Sequence, residues 1–134
     1  MRYMLDTNIV SYFIRRSSPS LETQLSDALK HHRVAISVIT RAELRAGQAG
    51  MALEDRRRSL IDSFFLRLPS LEWDAKAADL YGVLKDSFRR QGKPIGEMDT
   101  QIAAHALAEK LILVTHNTRH FENVPHLKLE DWML

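Results

Sequence analysis

Short apolar runs, each too brief for a helix, alternate along this chain with longer segments of helical period. That alternation restricts the fold more than any single residue does. Leu111-Ile112-Leu113-Val114-Thr115 is the clearest run. Apolar throughout and partly β-branched, it predicts a strand covered on both faces, as inside a parallel sheet. Tyr3-Met4-Leu5, ending at Asp6, and Val34-Ala35-Ile36 predict two more strands. Leu68 to Trp73 predicts another at a sheet edge, because Pro69 has no N–H to give a ladder. The tail from Val124 to Trp132 holds a last short strand.

Between these runs the periodicity is helical. One helix passes through Ile9, Tyr12 and Phe13. Ser17-Ser18-Pro19-Ser20 reads as a turn opening a second, capped by Ser20, with Leu21, Leu25, Ala28 and Leu29 on one face. Ser37 or Thr40 caps a third. A basic helix over residues 53–66 turns Arg56, Arg57 and Arg58 to solvent, and a long helix covers residues 74–90. Gly92, Pro94 and Gly96 then break the chain before a helix whose Ile102, Ala103, Ala106 and Leu107 form an unbroken core-facing stripe. The fold class that follows is α/β, with helices on both faces of a mostly parallel sheet of about four to five strands. The 134 residues, with no repeat or linker, make one domain spanning 1–134.

Composition excludes several chemistries. Hydrophobic residues at 45% and charged ones at 27% argue against disorder. The absence of cysteine removes disulfides, thiolate catalysis and cysteine-ligated metal centres, and suits a reducing, cytoplasmic setting. No apolar run approaches the ~20 residues that cross a bilayer. An acid at Asp6 argues against a secretory signal. A formal charge of +2 permits nucleic-acid binding without demanding it.

In parallel sheets ligands bind beyond the carboxyl ends of the strands, and acids collect there in this chain. Asp6 follows the first strand directly. Its carboxylate suits a helix N-cap, accepting the free amide of Asn8 or Ile9. Glu43 closes Thr40-Arg41-Ala42-Glu43, a capping-box pattern, yet it shares an inward face with Ile39 and Ala46 by helical spacing. Asp99 opens the apolar stripe in its helix's first turn, where the macrodipole favours an anion and Gly96 could cap. Each acid alone has a structural explanation.

Taken together they have a chemical one. Two carboxylates about 4 Å apart repel by about 4 kcal/mol at an effective dielectric of about 20, so three side by side call for a cation. Oxygen-only ligands suit a hard divalent ion, Mg²⁺ or Mn²⁺, better than zinc. Such an ion polarises a phosphoryl oxygen and activates water for in-line attack, which is phosphodiester hydrolysis. A catalytically inactive binding module with the same fold is the alternative. A phospho-acceptor signalling domain also sets acids at strand ends, but would want a lysine soon after the last interior strand, where this chain has Asn117 and Arg119.

Four segments in order carry a family likeness. They are Met4-Leu5-Asp6-Thr7-Asn8, Ser37 to Leu44, Gly96-Glu97-Met98-Asp99 leading into Ile102-Ala103-Ala104-His105-Ala106, and Leu113 to Phe121. Over essentially its full length the chain resembles the PIN-domain ribonucleases, in particular the VapC toxins of bacterial toxin–antitoxin pairs. The resemblance implies a PIN-like three-layer α/β/α fold and makes Asp6, Glu43 and Asp99 the metal-binding and catalytic acids. The family's fourth acidic position falls on Asn117, whose amide oxygen can ligate but brings no charge. Thr7, Asn8 and Thr115 become supporting residues around those ligands. The resemblance further implies a VapB-type antitoxin whose C-terminal segment occupies the active-site groove, a homodimer, and a structured RNA substrate. Some close relatives cut initiator tRNA in the anticodon loop.

Arg41, Arg45, Lys93 and Arg119 flank the acidic segments and are candidates for RNA phosphate contacts, with solvated helix surface as the other reading. His116 and His120 lie four apart in an expected turn with no third strong ligand nearby, which favours RNA contact or plain surface over metal. His105 reads as structural, and His31, His32 and His126 as surface. Phe13, Phe64, Phe65, Trp73 and Tyr81 read as packing; Tyr12 and Trp132 stay open.

Overall fold

A computed structural model describes all of residues 1–134. The elements run in the order β1 (Tyr3–Leu5), α1 (Thr7–Ile14), α2 (Pro19–Lys30), β2 (Val34–Ser37), α3 (Val38–Ala49), α4 (Arg57–Phe65), β3 (Ser70–Leu71), α5 (Ala75–Gln91), α6 (Glu97–Glu109), β4 (Ile112–Val114), α7 (Thr118–Phe121) and β5 (Leu129–Glu130). Five strands form one sheet in the order β3-β2-β1-β4-β5. Every pairing is parallel, with Tyr3 opposite both Val34 and Ile112, and Leu5 opposite both Ile36 and Val114. β3, with Pro69 before it, sits at an edge as its proline requires.

Alternation along these short strands sorts the core into two layers. Leu5, Ile36 and Val114 point to one face, where they meet Ile9, Val10 and Phe13 of α1, Leu21, Leu25 and Leu29 of α2, and Ile61, Phe64 and Phe65 of α4. Met4 and Leu113 point to the other and meet Leu84 and Phe88 of α5, the α6 stripe and Phe121 of α7. The result is the three-layer α/β/α sandwich expected. Met4, Leu5, Leu113 and Val114 are fully buried, each burial being worth about 1.5–3 kcal/mol. No helix is long and apolar enough to cross a membrane.

The chain leaves β1 toward β2 and β3 on one side, while β4 and β5 add on the other. The direction of winding therefore reverses between β1 and β4, and their carboxyl ends open onto the crevice where doubly wound sheets bind ligands.

Several local expectations give way to packing. Ser18, not Ser20, caps α2, accepting from the Leu21 amide at 3.2 Å with Pro19 in the first helical position. Ser37 caps α3, so Thr40 lies inside that helix and the capping box does not form. The buried stripe of α3 is Thr40, Leu44 and Gln48, whereas Ala46 is exposed and Glu43 half-buried beside the stripe. Arg58 is no free solvent-facing charge: it donates to the Gln48 and Met51 carbonyls at 2.7 and 3.1 Å, closing the end of α3. The basic helix begins only at Arg57, and the expected turn after β4 contains the four-residue α7.

Candidate active site

Asp6 stands where β1 ends and α1 begins. Its backbone N–H donates to the Val114 carbonyl, completing the sheet edge, and its carboxylate accepts the Ile9 amide at 2.9 Å as the N-cap of α1. The structural role is thus fulfilled, but it is not the whole account. Asp6 is only 6% exposed. Burial pushes its carboxyl up to about 6, and the nearby charges of Asp99 and Glu43 push the same way against the Thr115 hydroxyl and the Ile9 amide, which favour the anion. Asp6, at the end of β1, therefore feels the charges of Glu43 on α3 and Asp99 on α6.

They share a cleft of about 320 Å³ lined by Asp6, Thr7, Asn8, Glu43, Gly96, Glu97, Met98 and Asp99. Gly96 opens α6 at φ +97°, a conformation that costs a side-chain-bearing residue strain, and so starts Glu97 to Asp99 over the crevice. Glu43 is held by Thr7, whose hydroxyl donates to Oε1 at 2.7 Å and lies 3.1 Å from the Thr40 hydroxyl. Asp99 is held by His120 of α7: Nε2 stands 2.8 Å from Oδ2 and 2.6 Å from the Ile95 carbonyl. Both partners accept, so Nε2 carries the hydrogen. Thr115, fully buried at the end of β4, touches Asp6 and accepts the Asn117 amide at 3.1 Å.

No three acidic or histidine side chains stand close enough to enclose an ion by themselves. The donor chemistry nevertheless fits a hard divalent cation: three carboxylates, no sulfur, and a buried member whose ionisation its neighbours oppose. Mg²⁺ commonly keeps waters and takes substrate phosphate beside one or two carboxylates, so an open, incomplete set suits it better than a closed one.

The remaining candidates scatter. Asn117 is exposed at the start of α7, outside the residues that line the cleft and linked to it through Thr115. Arg41 lies 4.5 Å over the Phe65 ring and donates to the Ser70 hydroxyl at 3.0 Å. Arg45 pairs with Asp62 at 2.6 Å. Lys93 and Arg119 are exposed and appear in no ion pair. His116 pairs with the carboxylate of Asp131 at 3.0 Å and meets Tyr12 edge-on. His105 is buried on the Ser37 hydroxyl at 2.8 Å, and burial lowers its pKa. Trp132 belongs to the core against Tyr3.

Three residues have roles at the site that the sequence did not assign to them. Thr40 had a detectable signal, its three-residue spacing from Glu43 on one helix side. Glu97 lay inside a motif already noted, and it lines the cleft while pairing with Lys85 at 3.2 Å. His120 had none, since nothing local ties it to Asp99.

The PIN domain profile matches residues 3–127. Ribonuclease VapC2 of Rickettsia felis is 39% identical over 132 residues, covering 98% of both chains. The tRNA(fMet)-specific endonuclease VapC of Shigella flexneri is 37% identical with the same coverage. Among solved structures, the VapBC2 complex of Rickettsia felis bound to a promoter DNA fragment superposes with a TM-score of 0.90 at 38% identity, covering 98% of this chain and 99% of that one.

Proposed function

This chain belongs to the PIN domain family, and from that premise we propose that it is the ribonuclease toxin of a toxin–antitoxin pair, hydrolysing RNA phosphodiester bonds. One observation carries the assignment of the reaction to a site. Asp6, Glu43 and Asp99, from three elements far apart in sequence, line a single cleft at the crevice between β1 and β4, and Asp6 is raised to about 6 there. The binding-only alternative loses ground because all three carboxylates are present together.

In this reading Asp6, Glu43 and Asp99 hold Mg²⁺ or Mn²⁺. When bound, the ion offsets charge on the phosphoryl group and activates water for attack. Thr7 fixes Glu43, the Thr115 hydroxyl favours the anion of Asp6 against its burial, and His120 orients Asp99. Asn8 at the cleft wall and Asn117 beyond Thr115 offer neutral amides to ribose or phosphate. Lys93 and Arg119 are free to meet the backbone of the RNA, whereas Arg41 is engaged with Phe65 and Ser70.

The substrate proposed is initiator tRNA cut in the anticodon loop, in keeping with the tRNA(fMet)-specific relative. The partner is a VapB-type antitoxin whose tail fills the groove, in keeping with the VapBC complexes among the neighbours. A single PIN domain over 1–134, acting as a homodimer in the bacterial cytoplasm, completes the proposal. The test is incubation of the purified chain with initiator tRNA in Mg²⁺ and again with a chelator. Cleavage confined to the Mg²⁺ sample is expected; intact tRNA in both, from a folded protein, would overturn it.

A further inference from the structure

The acidic cleft is smaller than a second cavity in the molecule. A hollow of about 510 Å³ lies at the opposite, amino edge of the sheet, where β1 and β4 begin, β5 approaches and α6 ends. Leu107 and Ile112 contribute to an apolar floor, and Arg2, Lys110, His126 and Lys128 ring it with no acid among the lining residues. All four rim residues are exposed, and none takes part in an ion pair. The adjacent acid, Glu109, is directed to His105, 3.9 Å away. Two rim positions, Lys110 at φ +57° and His126 at φ +66°, adopt the left-handed conformation that glycine or asparagine fills with least strain. Basic side chains stand there all the same.

We propose that this cavity is a second RNA-binding site, taking the phosphodiester backbone of the substrate at a point remote from the cut. The inference rests on the nuclease reading for its choice of polyanion. The unpaired cations Arg2, Lys110 and Lys128 around a concave apolar floor suit phosphates with a ribose or base between them, and phosphate contacts of this kind position an RNA without reading its sequence. Arg2 and Asp6 flank the two ends of β1 and line different openings, so an RNA that reaches both must pass round the outside of the domain. A short oligonucleotide held by the acids gains little from the basic rim, whereas a folded tRNA spans both.

The test uses the double variant Lys110→Gly and Lys128→Gln. Glycine relieves the left-handed strain at position 110, so a loss of RNA binding cannot be put down to lost folding. With initiator tRNA in chelator, the log–log salt dependence of the dissociation constant should fall by about two, one for each phosphate contact removed. In Mg²⁺, KM for the folded tRNA should rise while kcat, and cutting of a short oligoribonucleotide bearing the scissile step, stay unchanged. An unaltered salt slope overturns the proposal, as does equal loss on long and short substrates. Should neither RNA be cut while the double variant still loses about two units of salt slope, the nuclease reading is refuted and the cavity proposal stands.

Discussion

His120 and Asp99 share a hydrogen bond, Nε2 to Oδ2 at 2.8 Å, that ties the four-residue α7 to the first turn of α6. The same Nε2–H faces the Ile95 carbonyl at 2.6 Å, so one imidazole fixes both the loop before α6 and the carboxylate that α6 presents to the cleft. Asp99 is otherwise free to turn, its side chain being 42% exposed. A carboxylate held in one orientation loses less entropy when it meets a cation.

Removing that hold should weaken the site without unfolding the chain. His120→Ala is expected to lower Mn²⁺ affinity on the order of 10-fold, and His120→Gln, whose amide can still donate, to recover part of it. Calorimetric titration of Mn²⁺ into the apo protein measures this. Equal affinity in wild type and His120→Ala would show that the bond does not orient the ligand.

Asp99→Asn and Glu43→Gln should each cut RNA cleavage by at least about 100-fold while circular dichroism remains that of the wild type. Neither side chain is in the core, so stability should change little. Either variant at full activity would remove that acid from the mechanism.

Asp6 gives the apo protein a pH dependence of definite sign. Its carboxyl is raised from 3.8 to about 6 in the fold, chiefly by burial. Between about pH 4 and about pH 6 the native state therefore binds more protons than the unfolded chain, and stability falls as pH rises through that window. The loss amounts to about 3 kcal/mol when complete. Asp6→Asn keeps an acceptor for the Ile9 amide, so urea unfolding in chelator should show it free of this slope and more stable than wild type at pH 7. An identical slope in both proteins would mean that Asp6 ionises without penalty.

A divalent cation should reverse that penalty. At about 100 times its dissociation constant, Mg²⁺ or Mn²⁺ adds about 2.7 kcal/mol of stability at pH 7, seen as an upward shift in melting temperature. The shift should shrink in Asp99→Asn and fade below about pH 6 as protons compete for Asp6. A metal-induced shift of equal size in Asp99→Asn would point to binding elsewhere.

Much of this molecule follows from short-range regularities in the chain. The apolar run at Leu111 to Thr115, the period-2 alternation of Met4 and Leu5, and the helical stripe from Ile102 to Leu107 dictate strand, layer and buried face. The parallel sheet then puts Asp6 and Thr115 at one edge because both end strands running the same way. Helix rotation was harder to read. Glu43 with Ile39 and Ala46 made an acceptable inward face on paper, but α3 buries Thr40, Leu44 and Gln48 instead, packed among α1, α4 and α6.

Sequence alone thus determined the α/β class, the two-sided sheet and the edge where acids meet, because residues a few positions apart fix strand and helix periodicity. Only the tertiary structure decided that His120 holds Asp99, that Thr7 holds Glu43, that Arg58 closes α3, and that Arg2, Lys110, His126 and Lys128 ring one cavity. Each of these joins side chains from different elements. Whether they meet depends on how helices rotate and pack against the sheet, which no local spacing encodes.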